Sequence, residues 1–228
     1  MKYDEFYNRV IKLNNDIVGN ENIDLYEKPK ELHKFTESEI QQYFSMCEED
    51  NNLKLPDYFK EILFSDHYEI YWKYTINNTK KTGGELLFWT PMEILVNTLE
   101  TDFSDKLTNY GKRIYQQGYR LFDGHPHTGD GIQMAIQIKN GSITDRVWYV
   151  HTIHEEMWPL ELNYGQYIEH SLYLKGMFGW QYLFIDKRLD AWGVDLTLLG
   201  QRLADYPKLF PGTDISQYLK IYKDKGGK

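Results

Sequence analysis

Four histidines in the second half of the chain form two closely spaced pairs: His125 and His127, His151 and His154. Three histidines and a water molecule complete many catalytic zinc sites. If both pairs lie at one end of a hairpin, they indicate a metal-dependent hydrolase. The second pair is followed by glutamate and does not enclose one, so it departs from the His-Glu-x-x-His motif of metalloproteases.

A simpler interpretation of these histidines is that they occupy surface or partly buried loops. Pro126 separates the first pair, and Gly124 and Gly129 flank it, so this segment is an irregular loop with no defined ligand geometry. We prefer this interpretation, and the sequence predicts neither a metal nor another cofactor. The metal-dependent hydrolase remains an alternative.

Carboxylates are concentrated in the same region: Asp123, Asp130, Asp145, Glu155 and Glu156. Two carboxylates at a suitable separation can hydrolyse a glycosidic bond. Aspartate beside glycine is more typical of a turn, however, and no pair is singled out by the sequence. The chain also lacks a Gly-x-Ser-x-Gly elbow, a phosphate-binding P-loop and a dinucleotide-binding glycine motif. These patterns favour a binding protein over an enzyme.

The overall charge points to the kind of partner. The 228 residues include 26 Lys and Arg against 34 Asp and Glu, which gives a net charge of −8. An acidic chain is a poor binder of nucleic acid but a suitable partner for a basic protein. Aromatic residues make up 16% of the chain. Trp148 and Trp158, at strand ends and loops, are candidate interface anchors.

The sequence favours a soluble, cytoplasmic protein with no membrane partner. Cys47 is the only cysteine, so no internal disulfide can form, and a small buried apolar role suits it best. The first 16 residues are charged throughout, unlike a signal peptide. No segment approaches the roughly 20 apolar residues of a membrane span.

Helices are predicted at both ends of the chain. Phe6, Val10, Leu13 and Ile17 recur at helical spacing within residues 3–18. Further helices are expected from a capping box of the form Thr-x-x-Glu at 36–39, from Pro56 over 53–66, and from Pro91 onward. A long polar helix over 97–118, another over 189–203 and a short one over 214–223 complete the set. Residues 20–34 are expected to be a connector.

Strands are predicted between these helices. Residues 68–76 and 85–89 are rich in β-forming residues, and 119–122 indicates a short strand. Residues 131–139 alternate apolar and polar side chains, and Asn140-Gly141 is the strongest hairpin signal, with a return strand at 146–150. Helices that flank a mostly antiparallel sheet define a single α+β domain.

The order of five motifs resembles the SUKH superfamily, which includes the yeast cell-wall-synthesis regulator family. The motifs are a Leu-Pro-x-x-Phe helix (55–63), a Trp/Pro-initiated helix (87–94), a Gly-Asp-Gly loop that enters an alternating strand (128–136), a Val/aromatic strand (146–150) and an amphipathic helix (164–172). The resemblance covers residues 36–185. It implies a SUKH-like core, with an N-terminal helix and connector at 1–35 and a C-terminal helical extension at 186–228. The 97–118 helix looks like an insertion.

The resemblance implies a function as well as a fold. Bacterial members of this superfamily are similar to immunity proteins of polymorphic toxin systems, which bind a cognate toxin, often a nuclease, and block it without catalysis. The resemblance implies no catalytic residue in this chain. We therefore predict contact with a basic toxin through six acidic and aromatic residues: Asp123, Asp130, Trp148, Glu155, Glu156 and Trp158. A regulatory scaffold or a sugar-binding module on the same fold is a further alternative.

Overall fold

Seven strands form the two antiparallel sheets of the structure, a computed structural model that describes residues 2–27, 29–96, 109–185 and 196–227. The strands are β1 (Ile23–Glu27), β2 (Tyr68–Ile76), β3 (Thr79–Phe88), β4 (Tyr119–Gly124), β5 (Ile132–Lys139), β6 (Ser142–His151) and β7 (Glu156–Pro159). The first sheet has the order β1-β2-β3, and the second has the order β4-β5-β6-β7. The predicted α+β domain with mostly antiparallel strands is confirmed.

Helices precede, connect and follow the sheets. They are α1 (Tyr3–Val18), α2 (Glu37–Asn51), α3 (Asp57–Lys60), α4 (Pro91–Val96), α5 (Asn109–Gln116), α6 (Tyr164–Tyr173), α7 (Leu196–Leu209) and α8 (Ser216–Asp224), with a 3₁₀ helix at Trp180–Phe184. No helix among these residues is long and apolar enough to cross a bilayer. The capping box predicted at Thr36 and Glu39 forms at the start of α2.

The two sheets meet edge to edge at β3 and β4. The Trp89 amide donates to the Phe122 carbonyl over 3.1 Å. Two residues earlier along the chain, the Leu87 amide donates to the Asp123 carboxylate over 3.0 Å. A side chain thus replaces a backbone acceptor where the regular strand ladder stops. Farther along the same edge of β3, the Glu85 amide donates to the Gly176 carbonyl over 3.0 Å.

One large hydrophobic cluster joins the ends of the chain to the sheets. Phe6, Val10, Leu13 and Ile17 of α1 are all buried in it, as their helical spacing predicted. Buried residues of α7 and α8 belong to the same cluster, together with inward residues of both sheets. The N-terminal helix and the described part of the C-terminal extension therefore pack directly on the core between them.

Three element predictions are wrong, and two predicted strands begin earlier than expected: β3 at Thr79 and not at 85, and β6 at Ser142 and not at 146. Ile23–Glu27, expected within a connector, forms β1, because its pairing with β2 supplies hydrogen bonds that local sequence does not reveal. The helix expected over 53–66 shortens to α3, since the consecutive residues Ile62, Leu63 and Phe64 are all buried and one helix face cannot bury all three. Glu156–Pro159, expected in a loop, pairs with β6 as β7.

The remaining helix predictions fall partly outside the described residues. The 97–118 helix is described only from Asn109, where α5 begins, and residues 97–108 are not described. The helix expected over 189–203 is described from Leu196, where α7 begins, and it continues to Leu209. The helix expected over 214–223 is confirmed as α8.

Gly84 on β3 is required by close backbone packing. A Cβ atom there would lie 2.6 Å from the Gly176 carbonyl oxygen and 2.7 Å from the Trp72 indole nitrogen. We expect Gly84→Ala to lower the free energy of unfolding by about 2–3 kcal/mol, because neither atom belongs to a flexible side-chain end. Gly124→Ala is the control, since its nearest neighbour would be 3.7 Å away. Denaturant unfolding measures both, and equal stabilities would contradict the packing argument.

Candidate functional site at the 123–131 loop and the 151–156 turn

A fully buried glutamate holds the loop at 123–131, hereafter the loop. Glu85 lies opposite Tyr71 in the β2–β3 ladder, and the loop covers it. Its carboxylate accepts hydrogen bonds from the His127 amide (2.7 Å), the Thr128 amide (3.2 Å) and the Thr128 hydroxyl (2.9 Å). A buried charge requires such partners, so these three bonds fix the loop on the first sheet.

Asp123 occupies the junction of the sheets and not the surface. We expected it to offer charge to a partner, but it is only 4% exposed, which corrects that prediction. One carboxylate oxygen accepts from the Leu87 and Gly124 amides, and the other accepts from the Tyr167 hydroxyl over 2.5 Å. Burial raises the pKa of Asp123 to about 6, although His125 and these hydrogen bonds oppose the rise. Asp123 is buried because the two strand-edge amides need a hydrogen-bond acceptor once they are removed from water.

His125 and Asp130 close the loop on itself. The His125 Nδ1 atom lies 2.9 Å from the Asp130 carboxylate, whose other oxygen accepts from the Ile132 amide. Burial of the ring opposes its charge, but the hydrogen bond to Asp130 and the charges of Asp130, Asp123 and Glu85 together raise the pKa of His125. His125 is buried, contrary to its expected placement on a surface or partly buried loop, whereas Asp130 stays partly exposed.

The other histidines have separate partners. The His127 ring stacks on Tyr71, with centroids 5.0 Å apart, and its Nε2 atom lies 2.7 Å from the Glu69 carboxylate. The rings of His151 and His154 lie 4.3 Å apart. Burial, reinforced by His154, lowers the pKa of His151. All four histidines fall within the described ranges, and no group of three or more metal-ligating side chains occurs in those ranges.

The turn at 151–156, hereafter the tip, projects between β6 and β7. Glu155 and Glu156 are exposed, and Ile153 is 64% exposed. The tip rests on the loop, because both the amide and the hydroxyl of Thr152 donate to the Gly131 carbonyl, over 2.8 and 3.0 Å. The chain therefore displays two acidic residues and one large apolar residue together, beside the partly exposed Asp130 of the loop.

The two tryptophans predicted to bind a partner do not share a surface. In the β6–β7 ladder, Trp158 lies opposite Tyr149, whereas Trp148 lies opposite Pro159. Successive residues of a strand face opposite sides of the sheet, so Trp148 and Trp158 point away from each other. Trp148 packs edge-on against Tyr119 over 5.3 Å in the smaller hydrophobic cluster, and Trp158 packs on Tyr149 over 5.4 Å in the larger one. The two tryptophans therefore form no single aromatic face, and contact of either one with a partner stays a prediction.

Two residues of this site were missed in the sequence. Glu85 stands directly before the apolar residues Leu86–Phe88 of β3, and a charged residue next to such a run signals a buried, hydrogen-bonded role. Ile153 is a lone aliphatic residue in a polar turn, a pattern that predicts exposure but no function, because single exposed apolar residues are common. Neither signal indicates by itself which groups would surround the residue.

A separate cleft of about 400 Å³ lies along α1 and α6. Its charged groups neutralise one another. Arg9 pairs with Glu169 over 2.7 Å, and the buried Lys175 pairs with Asp16 over 3.1 Å. Burial lowers the pKa of Lys175, and the Asp16 carboxylate opposes that change. The first pair joins α1 to α6 and the second joins α1 to the segment after α6, which gives these charges a structural role.

The pKa of Asp123 has a measurable consequence for stability. Because the folded pKa exceeds that of an unfolded aspartate, this group stabilises the fold fully below pH about 4, and that contribution is lost as pH rises to about 6. An amide in place of the carboxyl group would have no proton to lose. We expect the free energy of unfolding of Asp123→Asn, relative to the parent protein, to rise by about 2–3 kcal/mol between pH 4 and 6. Denaturant titrations at several pH values measure it, and parallel pH profiles would refute the assignment.

Comparison with known proteins adds no relative to this picture. No family model, no curated protein and no solved structure matches the chain. The SUKH resemblance therefore stays a prediction that rests on motif order in the sequence.

Proposed function

We propose that this chain is a cytoplasmic, non-catalytic binding protein of the immunity type, which neutralises a cognate toxin by covering its active cleft. The observation that carries the proposal is the acidic tip, with Glu155 and Glu156 exposed beside the partly exposed Asp130. A toxin that acts on nucleic acid needs a basic cleft. An acidic protein of net charge −8 is electrostatically complementary to such a cleft.

The rigidity of the site supports binding. The loop beneath the tip is fixed by the three hydrogen bonds to Glu85 and by the His125–Asp130 contact. A surface that is already ordered loses less conformational entropy when it binds, so more of the contact energy appears as affinity. Occlusion of a cleft requires this kind of fixed shape.

The bonding of the buried acids also supports a non-catalytic role. Both Glu85 and Asp123 accept backbone amides as well as side-chain hydroxyls. Each carboxylate therefore has a structural task at the sheet junction. A general acid or base would instead direct at least one oxygen to a site that substrate can reach.

The direct test is functional neutralisation. The probe is the basic C-terminal domain encoded by the reading frame next to this gene, produced with and without this chain in the same cells. We expect co-production to restore growth, and the two purified proteins to form a stoichiometric complex that lacks toxin activity. A neighbouring domain that is toxic but neither bound nor inhibited would rule out the proposal.

Charge reversal at the tip tests the electrostatic part. We expect Glu155→Lys/Glu156→Lys to slow association with that domain about tenfold at low salt and to weaken its salt dependence, because exposed rim charges act mainly on the association rate. Glu49→Lys/Asp50→Lys is the matched control. This exposed pair lies near the end of α2, which approaches the turn after β5, at the opposite end of the β5–β6 hairpin from the tip. Stopped-flow binding measures both, and equal rates would exclude steering by the tip.

A further inference from the structure

The Ile153 side chain is exposed to water in the unbound protein, which is energetically unfavourable. Of the large hydrophobic side chains identified as exposed in the described residues, it is the most exposed, at 64%. An aliphatic group left in water is unfavourable, and it gains most when a partner buries it. Because a single exposed residue is common, its significance depends on how firmly its neighbours hold it.

The backbone that carries Ile153 is braced against the loop. The Thr152 amide and hydroxyl both donate to the Gly131 carbonyl. Gly131 has φ +77°, and a Cβ atom there would lie 2.6 Å from the Ile153 Cγ1 atom, so a larger residue would displace the isoleucine. On the far side of the tip, Glu155 adopts φ +52°, a conformation that non-glycine residues rarely take. The side chain is therefore presented by a braced turn.

The charges near Ile153 restrict its partner. Glu155 and Glu156 follow it on the tip, and Asp130 precedes the bracing glycine on the loop. Arg113 of α5 lies 3.7 Å from the Glu155 carboxylate, a distance that leaves this exposed acid weakly paired. An apolar recess with a basic rim would bury the isoleucine and complement the acids at the same time.

We propose that Ile153 is the apolar anchor of the interface, inserted into a recess rimmed by Lys and Arg on the toxin partner. This inference rests on the proposed function and specifies how that partner is recognised. A second copy of the chain is a poor occupant, because two acidic tips would repel each other. An anionic membrane surface would repel the tip for the same reason.

Substitution at position 153 tests the anchor with the same toxin domain as the probe. We expect Ile153→Ala to weaken binding about tenfold to fiftyfold, and Ile153→Asp more than a hundredfold, with the loss mainly in the dissociation rate. Val18→Asp is the matched control, because Val18 is 61% exposed at the end of α1. That control should change the affinity less than twofold. Thermal unfolding should be nearly unchanged in all three variants, since both side chains are exposed.

The outcomes separate this inference from the proposed function. If the toxin domain binds the parent protein and Ile153→Asp equally well, the anchor is wrong and the immunity proposal stands. If it binds neither, both are wrong. If sedimentation shows that the parent protein alone forms a dimer that Ile153→Asp dissociates, or if the parent protein but not this variant pellets with phosphatidylcholine vesicles, the assigned occupant is wrong.

Discussion

The structure depends on one buried carboxylate at the line where its two sheets meet. Asp123 accepts the Leu87 amide of β3, the Gly124 amide of β4 and the Tyr167 hydroxyl of α6. Strand-edge amides that are removed from water need acceptors, and this carboxylate supplies one to each strand. The side chain therefore joins two short sheets and fastens a helix to both. The cost of burying this carboxyl group appears in its raised pKa.

The same junction determines what the molecule can display. Glu85 lies on β3, the strand whose Leu87 amide donates to Asp123, and its carboxylate fixes the loop. The loop in turn supports the tip, because Thr152 donates to the Gly131 carbonyl. The buried acids thus have structural roles, whereas three acids of this site, Asp130, Glu155 and Glu156, stay exposed or partly exposed near Ile153. This division of tasks is consistent with recognition of a basic surface by a preformed shape.

Local patterns predicted much of the fold. The stripe from Phe6 to Ile17, the capping box at Thr36 and the Asn140-Gly141 hairpin each depend on residues close in sequence, and each forms as expected. β1 and β7 were missed because both exist through pairing with a distant or longer partner strand. In the site, the exposure of Glu155 and Glu156 accords with a polar turn, whereas Asp123 was misplaced because its amide partners include one on another strand.

By itself, the sequence determined the class of fold, the acidic character of the chain and the position of the central hairpin, since periodicity, composition and turn chemistry act over short range. The tertiary structure decided which of the similar carboxylates are buried and which are displayed. It also placed Trp148 and Trp158 on opposite faces and brought Gly131 under Ile153. The burial of a side chain and its hydrogen-bond partners depend on tertiary packing. Residues of the same type therefore acquire different roles only in the folded protein.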